Sequence, residues 1–186
     1  DSIQQGEAIA DFATAVLKPK NLLKTAYIRL NHPYSLEIIK AAQTKMEANG
    51  FKTVIKDHPV AIGATDFSDF IDKCKASGIQ LIVCSFLLDE TTNFIKQMGE
   101  KGINKSIAIT GAMAKILKDE FSTEIGAENA AYVTSISPQS GPVDMAGNGA
   151  AVAFAEKYKT KYNMSAYWIS YSSYDALRVF KAAVEK

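Results

Sequence analysis

The sequence predicts an α/β fold, a doubly wound parallel sheet flanked by helices and followed by a C-terminal helical tail. Three observations carry that prediction. Short apolar runs alternate with longer amphipathic stretches between residues 25 and 134, the rhythm of repeated βα units with right-handed crossovers. One of those runs, residues 79–84, is apolar on both faces, as a strand must be in the middle of a parallel sheet covered by helices. After residue 137 the rhythm stops, and only helical periodicity follows.

The elements can be placed in order. A first helix spans residues 2–17, where Ile9, Phe12, Ala13 and Val16 recur at helical spacing and Pro19 lies just beyond the end. A strand follows at 25–28, and the turn at 31–35 leads into a second helix ending near Asn49. Its inward residues are Leu36, Ile39 and Met46, with Gly50 after its end. A strand at 52–56 precedes a third helix, which Thr65 or Asp66 can cap. That helix carries Phe67, Phe70, Ile71 and Cys74 and stops at Gly78. The central strand at 79–84 is followed by a helix at 89–101 with Phe94, Ile95 and Met98 on one face. Next come a strand at 106–110, a short helix at 115–124 and a strand at 131–135. The run Ser137-Pro138-Gln139-Ser140-Gly141-Pro142 breaks the pattern. The expected organisation is a lobe over residues 1–137, a hinge-like linker over 138–142 and a helical tail over 143–186. The tail helices, near 143–162 and 167–185, carry Val152, Phe154 and Tyr158, then Leu177, Phe180 and Val184.

Composition excludes several roles. A chain of 186 residues can bury one core, or one core and an appendage. With 47% hydrophobic and 22% charged residues it is a folded chain rather than a disordered one. The net charge of +1, with both signs mixed along the chain, offers no basic face for phosphates, so no nucleic-acid partner is expected. No apolar run approaches the ~20 residues of a membrane helix. The opening Asp1-Ser2-Ile3-Gln4-Gln5 has no Met and no signal-peptide pattern, and is read as interior sequence of a longer chain. Cys74 and Cys84 sit in no CxxC pair and are expected to be buried thiols.

Catalytic chemistry finds little support. There is no GxSxG elbow. The two histidines, His32 and His58, each precede a proline and read as loop surface. No His, Cys or acidic cluster has the spacing of a zinc site. Gly147-Asn148-Gly149-Ala150-Ala151-Val152 begins like a dinucleotide fingerprint, but ends in valine and follows a linker rather than a strand. Asp89-Glu90 and Asp119-Glu120 are sequence neighbours that do not share a helix face, and read as solvated surface. The expectation is a protein that is not an enzyme and uses no cofactor and no metal.

The order of several motifs resembles the type I periplasmic binding proteins of the branched-chain amino acid and amide group. The resemblance rests on Asp1-Ser2-x-Gln4-Gln5-Gly6 at the opening and on Tyr34 after the first strand, with Ser35 where the family has glycine. It continues through Thr65-Asp66-Phe67-Ser68, the strand at 79–84 followed by Leu87 and Glu90, and Phe94-Ile95-Lys96-Gln97 leading to Gly102. Residues 126–133 match a glycine-containing stretch with Ala131 in place of its second glycine. Phe154-x-x-x-Tyr158-x-x-x-Tyr162 and Tyr174-Asp175-Ala176 match the late helices. The series covers nearly the whole chain. It implies one complete lobe plus two helices that belong to a first lobe encoded before Asp1.

Ligands of open α/β sheets sit at the carboxyl ends of strands, which here are residues 29–34, 85–88 and 110–114. The resemblance implies ligand contacts from the same places. The expected ligand-binding residues are Tyr34, Ser85, Phe86, Leu87 and Met113, with the Tyr34 ring as a wall and its hydroxyl as a donor. Leu87 stands where amino-acid binders carry an aromatic, and Met113 falls near where they carry an acid for the ligand's ammonium. An unpaired buried ammonium is costly, so an apolar or aromatic ligand is expected rather than a plain amino acid. The implied function is capture of a small organic solute for a membrane permease of an ABC transporter. The location is periplasmic or extracellular, with a lipoprotein anchor as one form. The alternative is a ligand-sensing domain of a receptor or transcription regulator. The tail's apolar faces, without their lobe, are expected to make the fragment self-associate.

Overall fold

The computed structural model describes residues 1–118, 120–136, 148–166 and 168–185. It divides into two compact units, one formed by residues 1–116 and 120–136 and one by residues 117–119 and 137–186. The hinge-like linker expected at 138–142 lies outside the described residues.

The first unit is a parallel sheet with helices on both faces. Its elements are α1 (Ser2–Phe12), β1 (Lys24–Leu30), α2 (Pro33–Ala48), β2 (Lys52–Ile55), β3 (Pro59–Val60), α3 (Ser68–Ala76), β4 (Leu81–Phe86), α4 (Asp89–Glu100), β5 (Ala108–Met113) and α5 (Phe121–Ile125). The strand order is β2-β1-β4-β5, with β3 also paired to β1, and every one of these pairings is parallel. Strand side chains alternate between two apolar layers, as a pleated sheet dictates. Ala26, Ile28, Leu30, Ile82, Cys84, Phe86, Ile109 and Met113 join the layer containing the apolar residues of α3, α4 and α5. Tyr27, Leu81, Val83 and Ala112 join the layer containing those of α1 and α2. All six residues of β4 are buried, which is what a strand apolar on both faces requires.

The helix faces follow the expected periodicity with instructive shifts. Phe70, Ile71 and Cys74 of α3 and Phe94, Ile95 and Met98 of α4 are buried. After Phe12 the first helix continues as a π turn over Ala13–Leu17. That wider turn spreads one extra residue around the axis, so Leu17 is buried and the expected Val16 is exposed. In α2, Ile38, Ile39, Ala42 and Met46 face inward, while Leu36 is only half-buried. Gly6 permits close packing of α1 on α2: a Cβ there would meet the Ile38 carbonyl oxygen, the Ala41 Cβ at 2.7 Å and the Ala42 nitrogen at 3.0 Å. Gly111 does the same inside the sheet. It has φ +154°, and a Cβ would run into the Cys84 backbone on β4.

The strand expected at 131–135 forms a single parallel bridge, Val133 to Ile109. Tyr132 takes φ +62°, a left-handed conformation that interrupts an extended run. The segment still tracks β5, because Thr134 and Ile136 donate their N–H groups to the carbonyls of Ile109 and Gly111 at 2.9 and 2.8 Å. The expected 115–124 helix is a 3-10 turn over Ala114–Leu117 and the short α5.

The second unit contains α6 (Gly149–Tyr162) and α7 (Trp168–Val184). Asn148 caps α6 by accepting from the Ala151 N–H at 3.2 Å. Phe154 packs on Tyr171 and Tyr174, with ring centroids 5.0 and 4.7 Å apart. Leu177, Val179, Phe180 and Val184 are exposed along α7. No helix among the described residues is long and apolar enough to cross a membrane.

Candidate functional site

The strand order places the topological switch between β1 and β4. The α2 connection from β1 leads away to β2 on one side, and α3 brings the chain back to β4 on the other. The carboxyl ends of these two strands are where open α/β sheets bind ligands. They are bordered by two walls, the short connections from β1 to α2 and from β4 to α4.

Each wall is braced by groups that local sequence reading treats as surface. His32 has extended backbone and is the N-cap of α2, its Nδ1 accepting from the Tyr34 N–H at 3.2 Å. It thereby satisfies an otherwise unpaired helix N–H and orients the turn that carries Tyr34. β3 lengthens the rim: Arg29 N–H donates to the His58 carbonyl at 3.1 Å and Asn31 N–H to that of Val60 at 2.7 Å. Beyond β3, Glu90 of α4 accepts from the Gly63 N–H at 2.7 Å. Glu90 is buried, so its expected place on solvated surface is corrected; a backbone donor across the loop draws it inward. Ser135 closes the end of β5, accepting from the Met113 N–H and donating to its carbonyl, both at 3.1 Å.

The five expected ligand residues separate into two groups. Tyr34 and Leu87 stand at the rim, 38% and 46% exposed. Ser85, Phe86 and Met113 are buried below it. Phe86 and Met113 point into the layer beneath α3 and α4, where Phe86 packs against Phe67 and Phe94 with centroids 5.5 and 5.4 Å apart. Their positions near strand ends are as expected, but strand alternation turns these two side chains into the core. They shape the rim from underneath.

The Tyr34 hydroxyl is tied inward. It donates to Gln5 Oε1 at 2.6 Å, and Gln5 Nε2 donates to the Ile136 carbonyl at 2.8 Å. Burial raises the Tyr34 pKa, keeping the phenol neutral at ordinary pH. Gln5 belongs to a helix 29 residues before Tyr34. In the sequence it stands in the opening motif Asp1-Ser2-x-Gln4-Gln5-Gly6, which marks the family resemblance but gives no sign of a contact with Tyr34.

The charged residues buried in this unit are engaged within it. Arg29 makes a two-armed ion pair with Asp57, Nε and Nη2 each 2.8 Å from a carboxylate oxygen. Lys115 pairs with Glu124 at 2.8 Å, and that contact holds the Glu124 carboxyl below its usual range. Cys74 and Cys84 are free and buried; burial pushes the Cys74 thiol up to about 12 and raises Cys84 further. Thiolate chemistry is therefore suppressed at both.

An amino acid binding protein of Pseudomonas aeruginosa is 27% identical over 123 residues, 66% of this chain and 31% of that protein. The fold matches a leucine binding protein of Thermotoga maritima with a TM-score of 0.82 at 21% identity, covering 99% of this chain and 50% of that one. It also matches a solute binding protein of an ABC transporter from Rhodopseudomonas palustris, solved in complex with 3,4-dihydroxybenzoic acid. That TM-score is 0.77 at 19% identity, over 98% of this chain and 48% of the other. The chain thus spans about a third to a half of the length of these relatives. A parallel sheet with its rim at the β1/β4 switch, and a match to the family over residues 1–186, place this chain in the periplasmic binding protein family.

Proposed function

We propose that the first unit is one lobe of an extracytoplasmic solute-binding protein that captures a small organic ligand against the β1/β4 rim. The observation that carries this reading is the rim itself. Tyr34, in the first turn of α2, is presented to solvent with its hydroxyl held by Gln5 of α1, and Leu87 is exposed on the connection into α4, its carbonyl accepting from the Thr91 hydroxyl. Pre-organisation of that kind lowers the cost of ordering a site on binding. Closure of a second lobe over the rim would bury the ligand, and delivery would be to the membrane permease of an ABC-type transporter. The family supports a location outside the cytoplasm, and a lipid anchor is one way to keep the protein at the membrane. The role is binding rather than catalysis.

The ligand class we favour is apolar or aromatic. Arg29, Glu90 and Lys115 are each bound by groups of the lobe, and the rim residues Tyr34 and Leu87 are an aromatic and an aliphatic one. Such a rim suits an aryl or alkyl body better than an isolated ammonium. The ring of 3,4-dihydroxybenzoic acid, held by the R. palustris neighbour, has this character. The exposed face of α7 makes self-association of the isolated chain an expected behaviour, read by sedimentation velocity.

The test is calorimetric titration of the chain with benzoate, 4-hydroxybenzoate and L-leucine, repeated on Tyr34→Ala. An aromatic acid should bind more tightly than leucine. Tyr34→Ala should weaken it by about 1–3 kcal/mol through lost packing and a lost hydrogen bond. Equal affinity in a variant that melts like the parent would refute the assignment of Tyr34.

A further inference from the structure

The hydrogen-bond chain behind Tyr34 has only one possible direction. Its root is the Ile136 carbonyl, which accepts and cannot donate. Ile136 is itself held by its N–H, bonded to the Gly111 carbonyl at 2.8 Å. The Gln5 carboxamide must therefore turn its NH2 group toward Ile136, the 2.8 Å contact. Only Oε1 remains to face Tyr34, and a carbonyl oxygen also accepts without donating. The 2.6 Å contact is then a bond in which the phenol supplies the proton. Gln5 is 8% exposed. Flipping its amide would set oxygen against oxygen at Ile136 in a site that water barely reaches, an arrangement that leaves buried polar groups unsatisfied.

We infer that Gln5 is a specificity-determining residue: by committing the Tyr34 proton to the lobe, it leaves the hydroxyl able only to accept, so the rim selects solutes that bring a neutral hydroxyl or N–H donor to that point. The inference rests on the reading of Tyr34 as a ligand contact. It reverses the role expected from sequence, in which the hydroxyl is the donor. A solute of the same shape carrying a carbonyl there meets lone pairs with lone pairs, and a site built to pair with one polarity discriminates strongly against the other. Gln5 reaches the ligand only through Tyr34, so it is a positioning residue.

Two measurements on the full chain test this separately from the binding role. The first needs no ligand. In carbon-labelled protein, Tyr34→Phe should shift the Gln5 Cδ resonance upfield, because its carbonyl loses a donor, and leave the Nε2 protons in place. Movement of the Nε2 protons with an unchanged Cδ overturns the polarity. The second is calorimetry with 4-aminobenzoate, a donor at its far end, and 4-formylbenzoate, an acceptor there. The parent should favour the amine by about tenfold, the scale of one hydrogen bond. Gln5→Leu, which frees the phenol to donate, and Tyr34→Phe, which removes it, should each bring the ratio close to one. A parent that binds both equally, or a folded Gln5→Leu that keeps the tenfold ratio, overturns the selectivity. Failure of both probes to bind at millimolar concentration overturns the binding role of the rim and the selectivity with it, while the Cδ shift still decides the polarity.

Discussion

Replacing Gly6 by alanine tests the close packing of α1, which carries Gln5, against α2. The added methyl would lie 2.7 Å from the Ala41 Cβ, about 0.7 Å short of the 3.4 Å at which ordinary contact begins, and closer still to the Ile38 carbonyl oxygen. Neither obstacle is the end of a flexible side chain. One is helix backbone and the other a methyl fixed to it, so α1 as a whole must lift from α2. Overpacking of a tight contact costs roughly 1–3 kcal/mol, and a clash with such rigid atoms belongs at the top of that range. Alanine returns about 1 kcal/mol through its better helix propensity. The expected net loss is about 2 kcal/mol, or a fall in melting temperature of roughly 4–8 °C for a chain of this size. Urea unfolding of Gly6→Ala and its parent should show a lower midpoint with an unchanged slope. Gly149→Ala is the control, because a Cβ there meets nothing within 4 Å; it should be neutral or slightly stabilising. A Gly6→Ala protein as stable as its parent would refute the account of close packing between these helices.

Other expectations follow from the same geometry. Gly111→Ala adds a methyl 2.8 Å from the Cys84 backbone nitrogen and carbonyl carbon, and nearer to its oxygen. Two central strands would have to part, so the loss should exceed about 4 kcal/mol; a cooperative native melt close to the parent's would contradict this. Both thiols should resist a maleimide in the native protein and react fully in urea, since each is buried and raised in pKa, Cys74 to about 12; fast native labelling of either counts against the packing described. His58, packed against Phe70 with centroids 4.9 Å apart and the rings tilted by 39°, has its pKa lowered from 6.5 by burial and then by Lys73. The unfolded chain therefore takes up that proton first. The stability His58 contributes is complete above its unfolded value and is lost as pH falls through the lower folded one. Proton NMR should find it titrating below 6.5, and His58→Phe should flatten the stability profile between pH 7 and 5; a native value at or above 6.5 would remove the basis for that slope.

The parallel lobe is legible in the sequence because burial on both faces leaves continuous apolar runs, and because helices that cover a sheet keep a periodic apolar face. β4 and α4 show this most directly: their patterns state both the type of element and the side that is buried. Where a backbone conformation interrupts the pattern, sequence and structure part. Nothing in residues 131–135 announces that Tyr132 will turn left-handed and reduce a strand to one bridge, and nothing in residues 13–17 announces the π turn that exchanges Val16 for Leu17.

The rim divides in the same way. Sequence order and fold physics place Tyr34 and Leu87 at strand ends, because a connection that leaves a parallel strand must pass the carboxyl edge of the sheet. The same reasoning brings Phe86 and Met113 to that edge, but which face each occupies depends on strand register, and register is settled by pairing across the sheet. Apart from the His32 cap, which accepts from an N–H two residues away, the polar bracing is a tertiary decision. Glu90 reads as solvated surface and Gln5 as part of an opening motif, until folding brings a distant loop N–H and the pair formed by Tyr34 and Ile136 within reach of them. Apolar burial is repeated along the chain and leaves a pattern in it. A hydrogen bond between residues 29 or 131 positions apart leaves none, because its energy depends on an alignment of two groups that exists only once the core has formed.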